Sequence, residues 1–168
     1  MQPWTLQPAG EEDRAAVWAL WRACAARDDC LWDDRYPDEA VLRADLDRHA
    51  LFVLRSGDET VGSVTLLPGE EIRRLPFPFA ETERSAMLTR LCVHPRWQRR
   101  GVGTRLLALA EEMAADGGAL AVQLLCDVRN APGLALFNRG GYREICRAEA
   151  YGDPFSVREK ALGNAAAL

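Results

Sequence analysis

Leu91-Cys92-Val93-His94-Pro95-Arg96-Trp97-Gln98-Arg99-Arg100-Gly101-Val102-Gly103-Thr104 is the stretch that decides the fold. Its first three residues end an apolar run that begins at Ala86, the pattern of a strand, and His94-Pro95 stops that run. A basic turn with two glycines follows. Val102, Leu106, Leu109, Ala110 and Met113 then recur at the spacing of one helix face, which predicts a helix from about Val102 to Ala115, closed by Gly117-Gly118. Amides at a helix start lack intrahelical acceptors, the macrodipole adds partial positive charge, and glycine lets an anion approach the backbone. The dipole contributes only about 0.3–1 kcal/mol at an exposed site, so several amides must act together.

An ordinary solvated turn has the same composition, and a lone GxG does not distinguish the two. A dinucleotide-binding turn fits poorly, because Leu106 stands where its third glycine belongs and the basic turn separates strand from glycines. Upstream of this stretch, Trp4–Gln7 reads as a strand, and the acidic turn Glu11-Glu12-Asp13 opens a helix whose buried face is Val17, Leu20, Trp21 and Cys24. Residues 28–36 form an acidic loop with two aromatics. A second helix is expected from Pro37 to His49, with proline in its first turn and Val41, Leu42, Leu46 and His49 on one face. Leu51–Arg55 and Thr60–Leu67 predict a hairpin around Ser56–Glu59. Residues 70–84 lack a period and carry prolines, so they read as one long loop whose Leu75–Phe79 stretch could serve as a lid or a homodimer contact.

Downstream, Leu120–Cys126 is an almost unbroken apolar run, as expected of a strand covered on both faces. A short helix over Pro132–Arg139 ends at Gly140-Gly141, and Tyr142–Tyr151 and Phe155–Leu162 complete the chain as two strands. The order is mixed α/β, and the 168 residues read as a single domain, 1–168.

Composition removes several classes. A net charge of -4 argues against a chain built mainly to coat nucleic acid, although Arg90, Arg96, Arg99, Arg100 and Arg105 form a local basic patch. The five cysteines contain no CxxC pair, and only two histidines, His49 and His94, are present, so no metal site is expected. Lys160 is the one lysine and lies on no glycine-rich loop, which excludes a Walker-type phosphate loop. The start of the chain lacks the basic and apolar regions of a signal peptide and no apolar run approaches the ~18 residues a membrane span needs, so the expectation is a cytoplasmic protein without a membrane partner.

Gln98-Arg99-Arg100-Gly101-Val102-Gly103 resembles the acetyl-CoA signature of the GNAT superfamily of N-acetyltransferases, Arg/Gln-x-x-Gly-x-Gly/Ala at a helix start. The likeness extends to Leu91-x-Val93-x-Pro95, to Asn130, and to Gly141-Tyr142 in place of the usual Gly-Phe. It implies a mixed, mostly antiparallel sheet with splayed fourth and fifth strands, flanked by about four helices. It also implies that amides from Arg99 through Thr104, with Gln98, Arg100, Gly101, Val102 and Gly103, hold the CoA pyrophosphate. Leu91, Cys92 and Val93 would pair with the pantetheine arm, with Asn130 bonding that arm. The Cys92 or Val93 amide would face the oxyanion. Asn130 reads equally as an Asx-turn or helix cap. The family often has a tyrosine acid five residues before its Gly-Phe aromatic; Phe137 occupies that place beside the cofactor. Glu81 and Glu83 are the base candidates and Tyr142 a substitute acid, although each also reads as an ordinary loop or core residue. The implied reaction is direct attack of a primary amine, on a small molecule or a peptide, upon acetyl-CoA, with acidic loops 28–34 and 81–83 attracting the amine. The alternative is a non-catalytic acyl-CoA-binding or sensory module.

Overall fold

The computed structural model describes residues 3–163. Seven strands form one sheet in the order β1-β2-β3-β4-β5-β7-β6, antiparallel except for the parallel pair β4-β5, with five helices. The strands are β1 (Trp4–Pro8), β2 (Leu51–Ser56), β3 (Glu59–Pro68), β4 (Ser85–Val93), β5 (Ala121–Asp127), β6 (Arg143–Ala150) and β7 (Asp153–Ala161). The helices are α1 (Arg14–Ala25), α2 (Glu39–Asp47), α3 (Glu70–Arg73), α4 (Val102–Asp116) and α5 (Ala131–Arg139). The chain divides into two compact units, one of residues through Thr65 with Arg90–Leu109, the other of Leu66–Thr89 with residues from Ala110 onward.

In the first unit, the i, i+3, i+4, i+7 stripe of α1 buries Val17, Leu20, Trp21 and Cys24 against Leu42 and Leu46 of α2 and Leu51 and Val53 of β2. Each such side chain, fully buried, contributes about 1.5–3 kcal/mol. The Trp21 indole N–H donates to Ser63 Oγ at 3.0 Å, so the aromatic enters the core with its polar edge satisfied. β2 and β3 form the expected hairpin, with a register shift between Leu54 and Arg55 opposite Gly62 and Thr60. A Cβ on Gly62 would lie 2.9 Å from the Cys92 carbonyl oxygen, so glycine is what lets β3 lie so close to β4 there.

Three details differ from the sequence reading, two in this unit and one in α4, which runs from the first unit into the second. α2 starts at Glu39 rather than Pro37: Asp38 is its N-cap, accepting the Val41 amide at 2.9 Å, because a capping carboxylate satisfies an orphan donor where proline can only omit one. His49 is exposed in a left-handed turn (φ 55°) beyond the helix, not on its apolar face. In α4 the fully buried stripe runs through Val102, Leu106, Leu107, Ala110 and Ala114, with Leu109 and Met113 half-buried, a rotation of the face that periodicity alone left open.

The second unit is built on β5, whose Ala121–Leu124 and Cys126 are buried, in register with β7 from Ala121↔Ala161 to Asp127↔Phe155. β4 pairs with β5 only from Ser85↔Ala121 to Met87↔Gln123; both strands continue, but the ladder lapses at Leu88, the parting expected of the fourth and fifth strands. The stretch 70–84 is not one loop. Gly69 opens the single turn α3, Ile72 is buried, and Phe77 and Phe79 pack edge to face at 6.2 Å in a cluster with Val157. The phenylalanines read as a lid or contact surface therefore fill the core, where aromatic burial outweighs the loop's lack of periodicity. One carboxylate fixes the end of the segment: Glu159 of β7, 5% exposed, accepts the amides of Ala80 at 2.9 Å and Glu81 at 3.0 Å and the Gln123 side chain at 2.8 Å.

Candidate functional site

β4 runs out at Val93 because His94 and Pro95 end the ladder: the His94 amide donates to Val61 O at 2.8 Å, and His94 Nδ1 accepts the Arg96 amide at 3.1 Å to start a 3-10 turn, Pro95–Trp97. Proline supplies the turn's fixed φ and omits a donor that the turn could not satisfy. His94 is thus a loop cap and takes no part in the helix start. The next residues form the candidate cradle. Arg99 takes φ 61° and Gly101 φ 78°, two left-handed residues separated by one, ahead of α4. Such alternation turns successive amides toward one side, the concave arrangement that binds anions. A Cβ on Gly101 would meet nothing within 4 Å, so the space above the turn is open. The first described bond of the α4 ladder is Arg105 N to Gly101 O, at 3.1 Å, and the preceding amides at the helix start carry no intrahelical acceptor.

The side chains around the turn divide in two. Arg96 and the Trp97 indole N–H both bind Glu59 Oε1 at 2.9 Å, which pins the turn to β3. Arg100 stacks over the Trp97 ring at 5.4 Å, and among the described residues Arg99, Arg100 and Arg105 form no ion pair. Arg100 and Arg105, with Arg99, whose charge also helps to lower the Asp29 carboxyl, stand beside an open glycine and fit a polyphosphate. Gln98 plays a different part from its neighbours: its Nε2 donates to the Val93 carbonyl at 2.9 Å, bracing the turn onto the strand end. The Cys24 thiol donates to that carbonyl as well, at 3.3 Å. Cys92 is buried beside Ser63 Oγ at 3.4 Å, and burial pushes its thiol well above the ordinary range.

Leu91 through Thr104 thus lie on one continuous segment of the first unit. The remaining candidates lie in the second. Asn130 Oδ1 accepts the Gly133 amide at 3.0 Å and caps α5, the turn-type role its sequence also allowed. Phe137 is buried edge to face with Tyr142, ring centroids 5.4 Å apart. The Tyr142 hydroxyl donates to Glu111 Oε1 at 3.1 Å, and burial, with the Glu111 charge and that hydrogen bond, pushes its pKa far up. Lys160 holds the other oxygen of Glu111 at 2.8 Å. Glu81 Oε1 accepts the amides of Arg84 and Glu83, both at 2.8 Å, and these bonds hold its carboxyl below the usual glutamate range. Glu83 is exposed, and its carbonyl accepts from Arg73. Cys126, at the end of β5, is pushed up to about 11 by burial, which leaves a neutral thiol near pH 7.

The acidic loop is partly self-satisfied. Asp29 pairs with Arg27 at 2.8 Å, and Asp33 pairs with Arg35 at 3.1 Å while accepting the Arg35 and Tyr36 amides. Among the described residues no cluster of three or more His, Cys, Asp or Glu side chains could hold a metal, and no helix is long and apolar enough to cross a membrane. Two residues with structural weight carry no sequence signal: Glu159, which reads as one more charge in a strand, and Arg90, left-handed inside β4 at φ 49°.

A family model described as the acetyltransferase (GNAT) family matches residues 14–142. The "Uncharacterized N-acetyltransferase YhfO" of Bacillus subtilis (strain 168) is 29% identical over 108 residues, 63% of this chain and 68% of that protein. A GNAT-family acetyltransferase from Streptococcus agalactiae superposes with a TM-score of 0.81 at 13% identity, covering 97% of this chain and 98% of the other. The yncA acetyltransferase of Salmonella typhimurium, whose structure contains acetyl-CoA, gives 0.72 at 17% identity over 99% and 98%. The ribosomal-protein-S18-alanine N-acetyltransferase of Escherichia coli gives 0.73 at 16% over 98% and 97%. At such identities the structures speak for the fold, and the family match, which spans most of the chain, speaks for membership: this chain belongs to the acetyltransferase (GNAT) family.

Proposed function

We propose that this protein is an N-acetyltransferase that moves an acetyl group from acetyl-CoA to a primary amine on a small molecule or a peptide. The observation that carries this reading is the paired left-handed turn at Arg99 and Gly101, with open space over Gly101, at the start of α4. Acetyl-CoA, when bound, supplies an activated thioester. The Arg99–Thr104 amides would hold its diphosphate, Arg99, Arg100 and Arg105 would balance its charge, and Gln98 would keep the turn in register with Val93. The strand edge at Leu91, Cys92 and Val93 would pair with the pantetheine amides, to which the Asn130 side chain would add a hydrogen bond. Phe137 would contribute an apolar wall and no proton. The proposed location is the cytoplasm, with no nucleic-acid or membrane partner, and a homodimer is the assembly to test first.

An ammonium cannot attack a carbonyl, so the amine must lose a proton before or during attack. Glu81, Glu83 and Tyr142 remain the proposed ionisable groups. Glu81 as base makes a definite prediction. Its active form is the carboxylate, and its pKa is lowered, so activity that depends on it is full above the usual glutamate range and lost only as pH falls below it. A kcat/KM profile from about pH 5 to 9 should therefore contain only the rising limb of the amine substrate. A second limb near neutrality would assign the proton to another group.

The second reading, an acyl-CoA-binding sensor, is favoured by Phe137 standing where the family often has a tyrosine. Turnover decides between them. Acetyl-CoA is mixed with a panel of primary amines and peptides, and free thiol is measured. Release of CoA that depends on the amine supports the transferase, whereas calorimetric binding without release supports the sensor.

A further inference from the structure

Arg90 holds a left-handed backbone, φ 49°, in the middle of β4. Outside glycine, asparagine and aspartate that conformation is uncommon, and it persists where the surroundings over-determine it. Here they do. Arg90 Nε and Nη2 meet the two oxygens of Asp45 at 2.8 and 2.6 Å, a fork that fixes the guanidinium plane as well as its position. Asp45 is itself 2% exposed and receives the Thr65 hydroxyl at 2.7 Å, so it cannot swing away to follow a relaxed strand. Arg90 Nη1 donates to the Tyr36 hydroxyl at 3.1 Å. One side chain therefore ties β4 to α2 directly, to β3 through Asp45, and to the loop before α2. Burial works against the charge of Arg90, but the Asp45 bonds and the Tyr36 contact raise its pKa all the same.

A left-handed residue inside a strand bends it and redirects the peptide groups that follow. Those groups are Leu91, Cys92 and Val93, the segment that leads into the cradle. We infer that Arg90 is a positioning residue: the Asp45 clamp holds its backbone left-handed, and this setting aims the Leu91–Val93 amides for acyl transfer. The inference rests on the acetyl-CoA reading for the chemistry, though not for the backbone state.

Glycine adopts a positive φ freely and alanine does not, which separates backbone geometry from side-chain charge. The test compares Asp45→Asn/Arg90→Gly with Asp45→Asn/Arg90→Ala, both of which lack the buried charge pair and so share its folding cost. Calorimetry gives the CoA affinity, steady-state kinetics give kcat, and NMR carbon shifts and the three-bond amide coupling give φ at residue 90 in the free protein. The alanine variant should move residue 90 to an extended φ and lower kcat by more than about tenfold, about 1.4 kcal/mol in barrier, with the CoA Kd within about threefold of the unsubstituted protein. The glycine variant, for which a positive φ carries no penalty, should populate the left-handed φ that alanine loses and recover kcat in proportion to that population. Equal kcat in the two variants while φ at residue 90 differs between them, or a left-handed alanine at position 90, overturns the inference. Failure of the unsubstituted protein to bind CoA overturns the acetyl-CoA reading instead, and the NMR comparison still decides whether the clamp sets φ.

Discussion

Gly101→Glu is expected to weaken CoA binding by at least about 100-fold, equivalent to about 2.7 kcal/mol, while leaving the fold in place. Two effects combine at this position, and they act on different measurements. The first is steric and electrostatic: the Cβ direction of Gly101 points into open space above the turn, so a carboxylate there would occupy the volume and reverse the field offered to the diphosphate. The second is conformational. Gly101 sits at φ 78°, where an L side chain costs about 1–2 kcal/mol, which lowers Tm by about 2–8 °C in a chain of this size. Gly101→Asn separates the two effects, since asparagine tolerates the left-handed region and adds no charge; it should melt close to the unsubstituted protein and bind CoA better than the glutamate variant. Calorimetric affinity unchanged by Gly101→Glu would remove the cradle from the mechanism and with it the proposed cofactor site.

Glu159→Ala should produce a large loss of stability in the second unit. The carboxylate is buried and accepts three donors, two of them backbone amides of Ala80 and Glu81. Removing it leaves those donors without acceptors at a cost of about 1–3 kcal/mol for each one that stays buried. If two stay buried, the expected loss is about 2–6 kcal/mol, a fall in Tm of about 4–24 °C. The same change frees the segment that carries Glu81, whose own carbonyl accepts from Gln123 at 2.8 Å. Amide hydrogen exchange should therefore accelerate at Ala80 and Glu81 before it does in β5. Thermal melting, with exchange read by mass spectrometry, checks both. A Tm within about 2 °C of the unsubstituted protein would mean that water replaces the carboxylate and that the segment is held by its remaining contacts, Ile72, Phe77 and Phe79 among them.

The sequence by itself determined the succession of the seven strands along the chain, the amphipathic face of α1, and the glycine turn that opens α4. These are local properties: alternation or 3.6-residue recurrence decides which side chains can be buried together, and glycines beside a helix start permit one kind of turn. It also determined the family resemblance, because Gln98–Gly103 and Leu91–Pro95 are contiguous motifs. Tertiary structure alone decided what reaches across the chain. Glu159 lies 79 residues beyond Ala80 and Arg90 lies 45 beyond Asp45, and no periodicity announces either partnership. The short helix at Glu70–Arg73 and the inward turn of Phe77 and Phe79 escaped for the same reason: prolines mark a loop locally, while the decision to bury its aromatics belongs to Val157 and its neighbours. The left-handed state of Arg90 is the clearest case, since its cause is a buried carboxylate on another element and nothing in Thr89-Arg90-Leu91 favours it over an extended backbone.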